Sequence, residues 1–127
     1  MPRGIHFEIP IKNPERAAQF YRAVFNWEIR KWNGPVDYWL ITTGPTPGPG
    51  IDGAIMRGTD RTAIDRTNDV LITFSVPSID GFVKKIVKAG GKALKPKTVI
   101  PGVGYHAYFA DPEGHEFGIM QSDPMTK

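Results

Sequence analysis

The sequence predicts an α+β fold made of two tandem βαβββ modules, and three observations carry that prediction. Two segments, Ile5–Ile11 and Val70–Val76, alternate side-chain character with the period of a strand. Each is followed by a helix start, at Asn13 in the first copy and Ser78 in the second. The distance between copies is nearly constant. His6 to Leu71 and Asn13 to Ser78 are each 65 positions, and Ala54 to Gly118 is 64. One half alone is too small to bury its sheet well, so the two are expected to form one curved mixed sheet around a cleft.

In the first copy, Ile5, Phe7, Ile9 and Ile11 present an apolar face, while His6 and Glu8 share the other with Pro10. That second face is expected to meet water or a polar cavity. Asn13-Pro14-Glu15 reads as a helix start: Asn caps, Pro suits the first helical position, and Glu suits the positive end of the dipole. Ala17, Phe20, Tyr21, Val24 and Phe25 recur at three-and-four spacing as one apolar stripe. Asn26 is placed to end it in the left-handed conformation. Strands follow around Glu28–Trp32, through Asp37–Thr43 and at Gly53–Met56. The turn Asn33-Gly34-Pro35 and the irregular loop Gly44–Gly50 separate them. That loop precedes a strand rather than a helix and has no Lys or Ser/Thr after a glycine run, so it is not a phosphate-binding loop.

In the second copy, Val70, Ile72, Phe74 and Val76 alternate with Leu71, Thr73 and Ser75. The helix behind Ser78 carries the stripe Ile79, Phe82, Val83, Ile86 and Val87 and ends at Gly90-Gly91. Strands are expected at Ala93–Val99, Tyr105–Ala110 and Glu116–Gln121, the last two joined by a type I turn at Asp111-Pro112-Glu113-Gly114. All 127 residues read as a single domain, with modules near 3–58 and 69–122 and a polar linker near 57–69.

Composition narrows the function classes. With 40% hydrophobic and 11% aromatic residues the chain can bury a core. There is no cysteine, which excludes disulfides, thiolate metal sites and cysteine nucleophiles and agrees with a reducing cytoplasm. No apolar run approaches a membrane span, and the N-terminus has no signal-peptide pattern, so a cytoplasmic protein is expected. The net charge of +3 is scattered rather than gathered into a nucleic-acid stripe. Its one concentration, Lys84, Lys85, Lys88, Lys92, Lys95 and Lys97, reads as a solvated helix face and the strand after it.

Together, His6 on the first strand, Asn13–Tyr21 with Val24-Phe25-Asn26-Trp27, and Phe109–His115 (Phe-Ala-Asp-Pro-Glu-Gly-His) resemble vicinal-oxygen-chelate proteins. That is the glyoxalase, bleomycin-resistance and extradiol-dioxygenase family. The resemblance covers nearly the whole chain, and its motifs specify fold better than chemistry. It implies four metal ligands, one on the first and one on the last strand of each module. Carried over, these fall on His6, Ala54, Leu71 and Gly118, of which only His6 has a donor side chain. One imidazole does not hold Zn²⁺, Ni²⁺ or Fe²⁺ against water. The metal chemistry of glyoxalase I and the dioxygenases is therefore not expected, and no cofactor is. A divalent ion would need a non-standard set such as His6, Glu8, His106 and Glu116.

His6, Glu8 and His106 are the candidate catalytic residues, since each can move protons near neutral pH. Glu8 has two readings: pairing with an Arg or Lys, or acting as a general base if burial raises its pKa. Tyr38, Thr73, Tyr108 and Glu116 are candidate substrate contacts; Tyr38 corresponds to His106 under the repeat. His115 follows the turn glycine and is expected to be exposed. Trp27, Trp32 and Trp39 read as core or dimer-interface residues rather than ligand stackers. Two functions remain open. One is a glyoxalase-like enzyme acting on a small oxygenated molecule. The other is a metal-free binder that sequesters a drug or metabolite, though a basic chain suits cationic bleomycin-type drugs poorly. The expected partners are a small-molecule ligand and a second copy in a homodimer, with neither nucleic acid nor membrane.

Overall fold

A computed structural model describes residues 2–34, 36–45, 48–57 and 70–126. The expected linker lies outside these residues apart from Arg57, as do Pro35 and two residues of the Gly/Pro loop. Among the described residues the order is β1 (Gly4–Ile11), α1 (Pro14–Phe25), β2 (Glu28–Lys31), β3 (Tyr38–Thr42), β4 (Asp52–Arg57), β5 (Leu71–Ser75), α2 (Ile79–Lys88), β6 (Lys92–Ile100), β7 (Gly104–Ala110) and β8 (Glu116–Ser122). This is the expected βαβββ pattern twice over. The chain divides into two compact units, His6–Val70 and Leu71–Lys127 together with Met1–Ile5. No helix among the described residues is long and apolar enough to cross a membrane.

In the first unit the strands run in the order β2-β3-β4-β1, with β1 and β4 parallel and the other pairs antiparallel. In the second the order is β5-β8-β7-β6, again with only the first and last strands parallel. A parallel pair cannot be joined by a tight turn, so each module spends its helix and two further strands on the return. The start of β1 belongs to the second unit, where Arg3 O accepts from Ser75 N at 2.9 Å.

Register shows the repeat residue by residue. Glu8 stands opposite Ala54 as Thr73 stands opposite Gly118. Tyr38 stands opposite Met56 as His106 stands opposite Met120. The cores correspond too. One is Ala18, Ile29, Trp39, Ile41 and Ile55; the other is Val76, Ile79, Ala107, Phe109 and Ile119. Trp39 pairs with Ile55 at the register where Ala107 pairs with Ile119. The smaller Ala107 is matched by phenylalanines around it, Phe109 within the cluster and Phe82 and Phe117 against it.

The helix ends form as their sequences dictate. Asn13 Oδ1 accepts from Arg16 N at 3.2 Å, and Asn26 closes α1 at φ 57°. Ser78 Oγ accepts from Gly81 N at 3.2 Å. Three apolar faces differ from expectation. In α1 the buried residues are Pro14 and Ala18, and Phe20, Val24 and Phe25 of the expected stripe are more than half exposed. Ala17 and Tyr21 pack against the core beside Ala18, so the helix meets the sheet along that line and the longer side chains fall outside it. Phe25 instead stacks on Trp27, with ring centroids 4.9 Å apart. In β5 it is Leu71 and Thr73, not Val70, Ile72 and Phe74, that are buried. The polar-looking parity of that strand is the more enclosed one. In α2, Val87 is likewise exposed.

Removing the α1 cap with Asn13→Ala is expected to cost about 1 kcal/mol. The check is a lowered denaturant midpoint with an unchanged slope, since the compactness of the folded state does not change.

Candidate functional site

The polar face of β1 is enclosed rather than wet: Glu8 is only 3% exposed and His6 is half-buried. Tyr38 reaches them from β3. Its hydroxyl donates to Glu8 Oε2 at 2.7 Å and lies 2.8 Å from His6 Nε2. The strand order places β4 between β3 and β1, and the residue of β4 opposite Glu8 is Ala54. A methyl there leaves the face low enough for the phenol to cross. Trp32 holds the Tyr38 ring edge-on at 6.1 Å, and the His6 and Tyr38 rings lie nearly parallel, 12° apart.

These bonds assign protons. The phenol has one hydrogen, and it goes to Glu8. His6 Nε2 must then donate to the phenol oxygen, which leaves Nδ1 as the basic atom of a neutral ring. Burial pushes the His6 pKa down, while the negative charges of Glu8 and Asp52 pull it up and only partly offset that effect. One partner of Glu8 is thus the Tyr38 hydroxyl.

The second module gathers Thr73, Tyr108, His106 and Glu116. Thr73 and Tyr108 flank Gly118 in one cross-strand row, and His106 stands one row along. The His106 and Tyr108 rings meet edge to face at 4.4 Å. Thr73 is 1% and Tyr108 5% exposed, and both carboxylate oxygens of Glu116 are buried. Lys95 Nζ sits 5.8 Å from the Tyr108 ring centre. Lys95 is half-buried, and the register of β6 shifts between Ala93 and Lys95. His115 is exposed as expected and lies 3.5 Å from Asp111. Trp39 is core, 3% exposed, with its indole N–H donating to Glu15 Oε1 at 3.0 Å.

The family's four-ligand metal set does not fit these residues. Ala54 and Leu71 are fully enclosed and have no donor atoms. At Gly118 even a Cβ would fall 2.8 Å from Thr73 Oγ1 and 3.0 Å from His106 Nε2, so a donor side chain has no room. Among the described residues no three His, Cys, Asp or Glu side chains stand together as a metal-holding group.

The family model described as Glyoxalase/Bleomycin resistance protein/Dioxygenase superfamily matches residues 5–119. No match was found among curated protein sequences. Among solved structures, a methylmalonyl-CoA epimerase in complex with methylmalonyl-CoA is 15% identical, covers 100% of this chain and 99% of its own, and superposes with a TM-score of 0.71. The methylmalonyl-CoA epimerase of Mycobacterium tuberculosis is 12% identical, with 95% and 88% coverage and a TM-score of 0.70. A hypothetical protein of Bacillus halodurans is 13% identical, with 99% and 98% coverage and a TM-score of 0.70. At such identities these likenesses establish the fold.

The lowered His6 pKa makes stability depend on pH. Its contribution is fully present above about pH 6.5 and is lost as pH falls toward the lowered folded value, because the unfolded chain binds the proton first. Urea midpoints measured from pH 7.5 to 5 should fall, and His6→Gln should flatten that fall. Tyr38→Phe removes a donor from a buried carboxylate and should cost about 1–3 kcal/mol at neutral pH.

Proposed function

Because the chain belongs to the Glyoxalase/Bleomycin resistance protein/Dioxygenase superfamily, we propose that it binds a small oxygenated organic molecule and moves a proton on it without the superfamily's four-ligand metal. The observation that supports this reading is the run of hydrogen bonds from His6 through Tyr38 to the buried Glu8, at 2.8 and 2.7 Å. His6 Nδ1 is the general base. As it takes a proton from the ligand, the ring becomes an imidazolium whose Nε2–H still points at the phenol. Tyr38 passes the field of the Glu8 carboxylate to that new charge. This is the orienting logic of a base held by a third group. A neutral imidazole is the right starting form, and burial, by lowering the His6 pKa, favours that form.

The proton removed is one made acidic by an adjacent carbonyl. A structural neighbour holds methylmalonyl-CoA, an acyl thioester, which supports carbonyl compounds as the ligand class. A second reading, a metabolite-sequestering binder, is favoured by the loss of donors at Ala54, Leu71 and Gly118. Binding without proton exchange is its signature.

The two readings separate in D₂O. Purified protein incubated with 2-oxo acids and acyl thioesters is expected to exchange their α-hydrogens, followed by proton NMR. His6→Gln and Glu8→Gln should each slow exchange by roughly 100-fold or more, and chelator should leave the rate unchanged. One tightly held metal ion per chain, with exchange lost on its removal, would overturn the proposal. Saturable binding with no exchange would leave the binder reading in its place.

A further inference from the structure

One row of α1 is left over by its own module. Arg16, Phe20 and Val24 stand four residues apart and so form a single ridge along the helix. The next ridge, Ala17, Tyr21 and Phe25, is turned toward the sheet, where Ala17 and Tyr21 pack against the core. Phe20 and Val24 are 57% and 55% exposed, and Phe25 is 54% exposed. They do not stand singly. Phe20 and Tyr21 meet edge to face at 5.2 Å, Tyr21 stacks on Trp27 at 5.4 Å, and Trp27 on Phe25 at 4.9 Å. Tyr21 and Trp27 rest on the core in turn. The exposed rings are therefore braced from below and lose little freedom on being covered.

Area and charge together say what covers this ridge. The exposed parts of Phe20, Val24 and Phe25 amount to on the order of 300 Å² of apolar surface, the size of the largest patch on an ordinary monomer and often a functional one. A standard interface takes about 800 Å² from each partner, so pairing centred here is small, weak and reversible. Arg16 is exposed in the first turn of α1, where the dipole of its own helix disfavours a cation. An antiparallel neighbouring helix brings its negative C-terminal end to that place. We infer that α1 pairs with α1 of a second copy, the helices running antiparallel about a two-fold axis at Phe20.

Such a pair uses the same ridge twice. Phe20 meets Phe20 of the second copy at the axis, and each Arg16 lies against the other helix near Val24, beside its free carbonyl groups. Both misplaced cations are satisfied by one symmetric contact. Interdigitation of ridges four residues in period is the commonest way two helices meet. The net charge of +3 on each copy is small and screened at physiological salt, so it does not prevent the approach. The contact uses no atom of the His6 network and holds or fails independently of the proton-transfer proposal.

Sedimentation equilibrium of the 127-residue chain, from micromolar to millimolar concentration, is expected to show a reversible monomer–dimer equilibrium. Phe20→Lys sets two cations at the axis and should weaken pairing by about tenfold or more, with an unchanged urea midpoint for the monomer. Val87→Lys, at an equally exposed site on α2, should pair like the parent. Arg16→Glu separates pairing from folding. It should stabilise the monomer, because an acid suits the first turn, yet weaken the dimer roughly two- to fivefold. The chain has no cysteine, so orientation can be read by cross-linking. A mixture of Arg16→Cys and Val24→Cys chains should form a mixed disulfide more readily than either forms with itself. The inference is overturned by a chain that stays monomeric, by Phe20→Lys pairing like the parent, or by Arg16→Cys cross-linking best to itself. A monomer that instead binds lipid vesicles through Phe20 would assign the ridge to a membrane surface and also overturn it.

Discussion

Each module depends on the parallel pairing of its first and last strands. Parallel neighbours need a long return path, and that requirement accounts for the helix and the two intervening strands in both copies. The same pairing sets the register. It puts Glu8 beside Ala54 and Thr73 beside Gly118, and the antiparallel strands then bring Tyr38 and His106 to matching places. A slip of one residue would turn Glu8 and His6 toward the core of Trp39, Ile41 and Ile55 and expose Phe7 and Ile9 to the other face. The helix-side core therefore holds the polar face in position. Its alternation is what keeps a buried carboxylate within reach of a hydroxyl.

From one common frame the modules have diverged in chemistry. The first has a long acid and a long phenol that meet over an alanine. The second has a short hydroxyl and an imidazole around a glycine. Loss of donors at Ala54, Leu71 and Gly118 removes the superfamily's usual metal set and leaves small or apolar surface in its place. That surface has a use. A methyl at position 54 lets Tyr38 cross β4, and bare backbone at 118 lets two polar atoms approach one point.

Much of the fold was legible in the chain. Caps at Asn13 and Ser78 are local chemistry, and both formed as read. The constant spacing of the copies reappears as matched registers, because a repeat in sequence is a repeat in pairing. Less was legible where burial depends on what packs opposite. Phe20, Val24 and Phe25 have helical spacing, yet the sheet is met by the line of Ala17, Ala18 and Tyr21, and they fall outside it. Leu71 and Thr73 looked like the more polar parity of β5 and are its buried side. The register shifts in β6 are likewise invisible to a strict alternation.

His6, Glu8 and Tyr38 were all readable as candidate residues, but not as a hydrogen-bonded set. Sequence by itself determined the two βαβββ copies and their caps. Those follow from side-chain chemistry and periodicity, which are local properties. Only the tertiary structure decided that the Tyr38 hydroxyl reaches Glu8, and that burial lowers the His6 pKa. The physical reason is that hydrogen bonds form across strands about 30 residues apart in sequence, and desolvation depends on every neighbour. The polar face of β1, read from sequence as facing water or a polar cavity, carries a buried carboxylate hydrogen-bonded to Tyr38, which also meets His6.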